Sequence, residues 1–258
     1  MNVGQAVEWL NGLAPFESAE GFDNVGQLMG DRNAEIHTAV FGMDITEALA
    51  DEALRLGAEL IITHHPFIFH AIKRIDYTLP QSRTLCRLAA NGVAVLAAHT
   101  NWDKAPGGVG DSLAQRLMLE DIQCGDEYVR IGRLPSPMTA DAFAAYVGEK
   151  LNAPVRCYPV AGKSISRIAA AGGAYGEGYE AALRANADAF VVGEIAHHEI
   201  LDAWTRGLTI VDAGHFATEW PGVQALYQRF LADASTAGWP VKAVLHDKAP
   251  YAGAHLAL

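Results

Sequence analysis

AELIITHHPFIF, Ala58 to Phe69, runs a short apolar strand directly into two histidines and a proline. Successive side chains of a strand point to opposite faces, so His64 and His65 cannot both follow the pleat into a dry core. Where the strand gives way to a loop, both imidazoles can turn to the same side. Pro66 holds His65 extended and stops any helix there. Taken alone, the pair fits a strand end with two solvated histidines equally well.

Working outward from this strand, apolar runs alternate with helical patterns. His37 to Met43 reads as a buried strand and Thr46 to Leu56 as a helix. Ser82 to Asn91 is helical, Val93 to Ala98 is a strand, and Gly110 to Leu119 is a helix. Val3, Ala6, Val7, Leu10 and Leu13 mark an amphipathic first helix, and Gly21 to Asp31 is a turn-rich segment leading into a short strand. From about Tyr128 to Gly162 the pattern is less regular, with prolines at 135, 137, 154 and 159 around a helix from Thr139 to Leu151 that Thr139 caps. A strand at Ala189 to Val192 and another at Leu208 to Val211 follow. The last elements are a helix from Pro221 to Ala237, with Pro221 at its first position, and a strand at Val241 to Leu245.

The alternation predicts an α/β fold with mostly parallel sheets flanked by helices. Ala39 to Glu59 aligns without gaps on Ile168 to Asp188, 129 residues later, each reading strand, turn, helix with Ala-Leu-Arg, then strand. Gly92 onward (GVAVLAAHT) matches Gly207 onward (GLTIVDAGH) in the same manner. Two pseudo-equivalent lobes are therefore expected, residues 1–125 with 220–258 and residues 126–219, with the functional site in the cleft between them.

Half of the 258 residues are apolar and the net charge is −11, so no basic surface is available for extended nucleic-acid contact. Small anions remain compatible, because divalent cations outweigh the global field locally. Cys86, Cys124 and Cys157 are odd in number and form no C-x-x-C pair, which argues against a disulfide framework and a thiolate zinc site. The N-terminus lacks the pattern of a signal peptide, and no stretch reaches the ~20 apolar residues of a membrane span. A cytoplasmic protein with no membrane partner is expected.

Four predicted strands end in ionisable residues: His64-His65, His99 to Asp103, Glu194, and His215 to Glu219. In open α/β sheets ligands bind beyond the carboxyl ends of strands, so these ends should converge. His64, His65 and His215 with Asp103 and Glu219 supply imidazole and carboxylate without thiolate, which suits Zn, Fe, Mn or similar cations. Five ligands exceed what one catalytic zinc usually takes and suit two divalent cations. Each segment also has a plainer reading: an Asx turn at Asp103, helix-start acidity at Glu219. His215 and Glu219 would share a face on one helix, but Pro221 points to a later helix start and a pair that straddles a loop. His99 can bind metal, orient a substrate or move a proton; Glu194 can act as acid/base, as partner of a ligand histidine, or as a helix N-terminal acid. His197 and His198 follow on a helix that can line the same cleft but reads better as a solvated face, and His37, His70, His246 and His255 read as surface or interface residues. AGGAYGEG, Ala171 to Gly178, matches no phosphate-binding loop and reads as a turn that brings a helix close to the sheet.

THHPFIF, AHTNWD, GEIAHHEILDA and GHFATE, in this order, resemble the Nif-three-like family, as does FDNVGQLMG with Phe22 and Gln27 in place of the usual Trp and Leu. Its members are described as GTP cyclohydrolase 1 type 2 homologues and as dinuclear-metal hexameric proteins. The resemblance implies that His64, His65, Asp103, His215 and Glu219 are the ligands, with Glu219 bridging, in a two-lobed homohexamer without the extra domain of longer members. The leading reading is a metal-dependent hydrolase of a small nucleotide-like or phosphorylated substrate, with His99 and Glu194 as the candidates for proton transfer and the cyclohydrolase label resting on the resemblance alone. The alternative is a non-catalytic metal-binding or regulatory hexameric scaffold.

Overall fold

The computed structural model describes residues 1–249, so His255 lies outside the described residues. The chain forms two compact units, residues 1–105 with residues from 223 on, and residues 106–222. The first begins with α1 (Val3–Leu13), β1 (Gly26–Met29), β2 (Thr38–Gly42), α2 (Glu47–Leu56), β3 (Leu60–Thr63), α3 (Pro80–Ala90), β4 (Ala94–Ala97) and α4 (Thr100–Lys104). The second holds α5 (Val109–Arg116), β5 (Glu120–Cys124), β6 (Arg130–Met138), α6 (Ala140–Leu151), β7 (Arg156–Tyr158), β8 (Ile165–Ala170), α7 (Tyr179–Arg184), β9 (Ala189–Val192), α8 (His197–Thr205) and β10 (Thr209–Asp212). The chain then runs through α9 (His215–Ala237) to β11 (Lys242–Leu245) in the first unit.

The first sheet has the order β1-β4-β3-β2-β11, parallel except for β1 at its edge. Alternation of side chains splits its strands between two cores. Val40, Ile61 and Val95 pack with Leu49, Ala50 and Ala53 of α2 and Leu88 of α3. Phe41 points the other way, onto Tyr227 and Phe230 of α9, where Trp9 meets Phe230 edge-on at 5.1 Å. Thr46 caps α2 by accepting the Leu49 N–H, and Gly57 ends it in left-handed backbone.

The second sheet has the order β5-β6-β8-β9-β10-β7, with a parallel centre (β8, β9, β10) and antiparallel flanks. Leu113, Phe143 and Val147 from α5 and α6 cover one face against Ile168, Val191 and Val211. Ala181, Ala182 and Ala203 from α7 and α8 cover the other against Ala169, Phe190 and Ile210. The flanking strands are the part that sequence pattern left irregular. Pro135 and Pro137 of β6 fall in the interval from Arg133 to Met138 where its pairing with β8 breaks register, so their missing N–H groups cost the ladder little.

The repeat of 129 residues is a repeat of register. Ala39 pairs Leu60 between β2 and β3, and Ile168 pairs Ala189 between β8 and β9. Both units are helix-flanked α/β sheets, as the alternation predicts. No helix among the described residues is long and apolar enough to cross a membrane.

Two expectations need correction. The last long helix begins at His215, not Pro221. Pro221 therefore sits inside the helix, where it removes one backbone donor and its ring crowds the carbonyl four residues earlier. Thr218 lies in the first turn, its hydroxyl within hydrogen-bond distance of the Gly214 and His215 carbonyls. His246 is not a surface residue: it is buried and its Nδ1 meets Glu52 of α2. A carboxylate partner offsets the cost of enclosing the ring. His37, His70, His197 and His198 are exposed, as expected.

Candidate metal centre

In the first unit, three parallel strands end at one place. His64 and His65 follow β3, His99 follows β4, and Asp44 lies just beyond β2. His64 is buried, and its Nδ1 lies 2.8 Å from the Ala98 carbonyl. A carbonyl oxygen only accepts, so Nδ1 is the donor and the neutral ring presents its lone pair at Nε2. His65 donates from Nδ1 to Asp44 Oδ1 at 2.7 Å, and His99 from Nδ1 to Asp23 Oδ1 at 2.9 Å. Those contacts orient Nε2 in the same way. Ligand atoms of His64, His65 and His99 lie within 4.8 Å of one another. Asp103, one turn into α4, places Oδ1 3.4 Å from His64 Nε2. Two electron-pair donors facing each other at that distance suit a shared cation.

Asp23 is fixed from three sides. Its Oδ2 accepts the Thr100 N–H at 3.1 Å and the Thr100 hydroxyl at 2.5 Å, besides the His99 contact. Burial pushes this carboxyl up, but the bonds from His99 and Thr100 outweigh burial and hold it well below the usual carboxylate range.

In the second unit, the early start of α9 puts His215 and Glu219 one turn apart on one face, with Nε2 and Oε2 at 3.0 Å. His215 Nδ1 lies 2.8 Å from Glu194 Oε1, just after β9. Glu194 thus orients a histidine, one of the roles open to it from sequence. Glu219 is buried, and Gly173 makes room for it: a Cβ at Gly173 would stand 2.1 Å from Glu219 Oε1. Gly173 also has φ +62, which favours glycine. The turn Ala171 to Gly178 therefore serves a site carboxylate, a role its sequence did not announce.

All four histidines share one arrangement: Nδ1 lies on an oxygen, which turns Nε2 away from that partner, and in His64 and His215 it faces Asp103 and Glu219. Metal-binding histidines characteristically donate their other ring N–H in this way, which fixes the ring and raises its basicity. The residues present thus fit a divalent cation of N/O preference. Asp23, Asp44, Gly173 and Thr218 were not singled out from sequence. Asp44 had a signal, since it too lies at a strand's carboxyl end.

A profile of the Duf34/NIF3 (NGG1p interacting factor 3) family matches residues 1–250. A Clostridium perfringens protein named GTP cyclohydrolase 1 type 2 homolog is 33% identical over 232 residues, covering 86% of this chain and 88% of that one. A Streptomyces coelicolor protein of the same name is 31% identical, covering 85% and 82%. Among solved structures, a Bacillus cereus protein related to NIF3 superposes with a TM-score of 0.94 at 20% identity, covering 99% of both chains, a likeness of fold. The chain belongs to the Duf34/NIF3 family.

Proposed function

We propose that His64, His65, Asp103, His215 and Glu219 would hold two divalent cations and that the protein is a metal-dependent hydrolase. The observation that supports this reading is the shared orientation of the histidines, each with Nδ1 on an oxygen, so that Nε2 of His64 faces Asp103 and Nε2 of His215 faces Glu219. Bound divalent cations supply Lewis acidity toward a substrate oxygen and make water a better nucleophile at neutral pH. The chain's own groups do the rest. Asp44 and Glu194 hold His65 and His215 in orientation, and His99, steadied by Asp23, receives or returns a proton at Nε2. The relatives' names support a small nucleotide-like or phosphorylated substrate. The reading includes assembly as a cytoplasmic homohexamer, which light scattering on the purified protein tests.

Elemental analysis and a hydrolysis screen over nucleotides and phosphoesters test the centre. Two equivalents of metal per chain and turnover lost in His64→Ala and Asp103→Ala are expected. Turnover that persists in both variants would refute the assignment. Full metal loading with no turnover on any substrate would favour the scaffold reading instead.

A further inference from the structure

Two arginines in the second unit have no part in the metal centre. Arg133 of β6 and Arg167 of β8 are direct cross-strand partners. Directly opposed residues of an antiparallel pair project from the same face, and like charges so placed repel. Neither side chain makes a hydrogen bond or ion pair among the described residues, and Arg167 Nε is buried without a partner. Carboxylates are not scarce, since the chain has 30 acidic residues against 19 basic ones. Elsewhere arginines find them readily: Arg83 meets Glu47, Arg87 meets Asp51, and Arg206 meets Glu180.

The two arginines line a groove of about 340 Å³ with Asp121, Ile122, Gln123 and Ile131. An irregularity in β5 shapes it: the register with β6 shifts between Glu120 and Gln123, and Asp121 takes left-handed backbone at φ 51. Asp121 shares the groove without pairing with either guanidinium. Its charge limits the local positive field, so the groove suits one compact oxyanion and not a polyanion.

We propose that Arg133 and Arg167 form a second small-molecule site that binds the phosphate group of a phosphorylated metabolite. A carboxylate has two oxygens in one plane, which a single guanidinium fork satisfies. A phosphate group offers more acceptor oxygens in a tetrahedral arrangement, and so can engage both forks and relieve their repulsion. Gln123 adds an amide donor to the same groove. Because β5, β6 and β8 supply this site, its occupancy does not depend on metal.

Calorimetric titration with inorganic phosphate and with ribose 5-phosphate tests the proposal, on protein both metal-loaded and chelator-treated. Saturable binding of one equivalent per chain should survive chelation, which separates it from phosphate held by metal. It should weaken about tenfold or more in Arg133→Gln and in Arg167→Gln. In phosphate-free buffer both variants should melt at or above the wild-type temperature, because each relieves the like-charge pair. Tighter binding of ribose 5-phosphate would support a monoester as ligand; equal affinities would support the phosphate group alone. No saturable binding to chelated wild-type protein, or undiminished binding in both variants, overturns the proposal.

Discussion

Glu59 and Asp188, 129 residues apart, make the same clamp in the two units: each carboxylate accepts two consecutive backbone N–H groups at the start of the preceding strand. Glu59 Oε2 takes those of His37 and Thr38 at 3.0 and 2.9 Å. Asp188 Oδ2 takes those of Ser166 and Arg167 at 3.0 and 2.8 Å. The residue two before each acid, Gly57 or Asn186, is left-handed, with φ of 63° and 53°. Strand, helix end and clamp are thus repeated as one βαβ device.

Charge-assisted bonds to backbone donors are stronger than neutral ones, and these donors lie at strand starts with no ladder partner in their place. Both acids are partly exposed, which discounts the effect. Glu59→Ala and Asp188→Ala should each cost about 1–2 kcal/mol, read as a lower urea midpoint with unchanged slope. A cost near zero in both would mean that the clamps shape the strands without stabilising them.

Asp44 should matter to metal and little to folding. It holds the His65 ring through Nδ1 and is itself one-third exposed. Removing such a partner typically lowers metal affinity about 10–100-fold. Chelator competition on Asp44→Ala should show a loss in that range, with a melting temperature close to wild type. Unchanged affinity would detach Asp44 from the centre.

Gly173→Ala separates crowding from backbone strain. A methyl there must displace Glu219, whereas at Gly162, with φ +71, a Cβ meets nothing within 4 Å. Both alanines strain left-handed backbone by about 1 kcal/mol. Gly173→Ala should lose bound metal at unchanged helix content by circular dichroism, and Gly162→Ala should keep it. Equal metal content in the two variants would remove Gly173 from the site.

Strand ends explain why the residues of the candidate site were legible in sequence. Each histidine sits at the boundary where a parallel strand stops and the chain must turn, and apolar runs mark that boundary clearly. Two things were hidden. Pro221 reads as a helix start because a first position is where proline costs least; the helix instead runs through it from His215, which a proline signal in sequence does not announce. The pairing of His246 with Glu52, 194 residues apart, depends on β11 joining β2, and pattern alone does not reveal which strands become neighbours.

Acid should expose a fourth relationship, that of Trp9 with Asp233. The indole N–H of α1 donates to Asp233 Oδ2 of α9 at 2.9 Å, and Arg229 adds a second bond at 2.8 Å. Burial pushes this carboxyl up, yet the bonds from Trp9 and Arg229 outweigh it and lower its pKa overall. A depressed folded pKa means that the unfolded chain binds the proton more readily. The stabilisation is therefore complete above the unfolded value of about 3.9 and is lost as pH falls through the lower folded value. Asp233→Asn removes the titration, so its deficit relative to wild type should be largest at neutral pH and shrink below about pH 4. Urea midpoints of the two proteins from pH 7 to pH 3 measure this, and a deficit that stays constant across the range would show that Asp233 acts through packing and not through its charge.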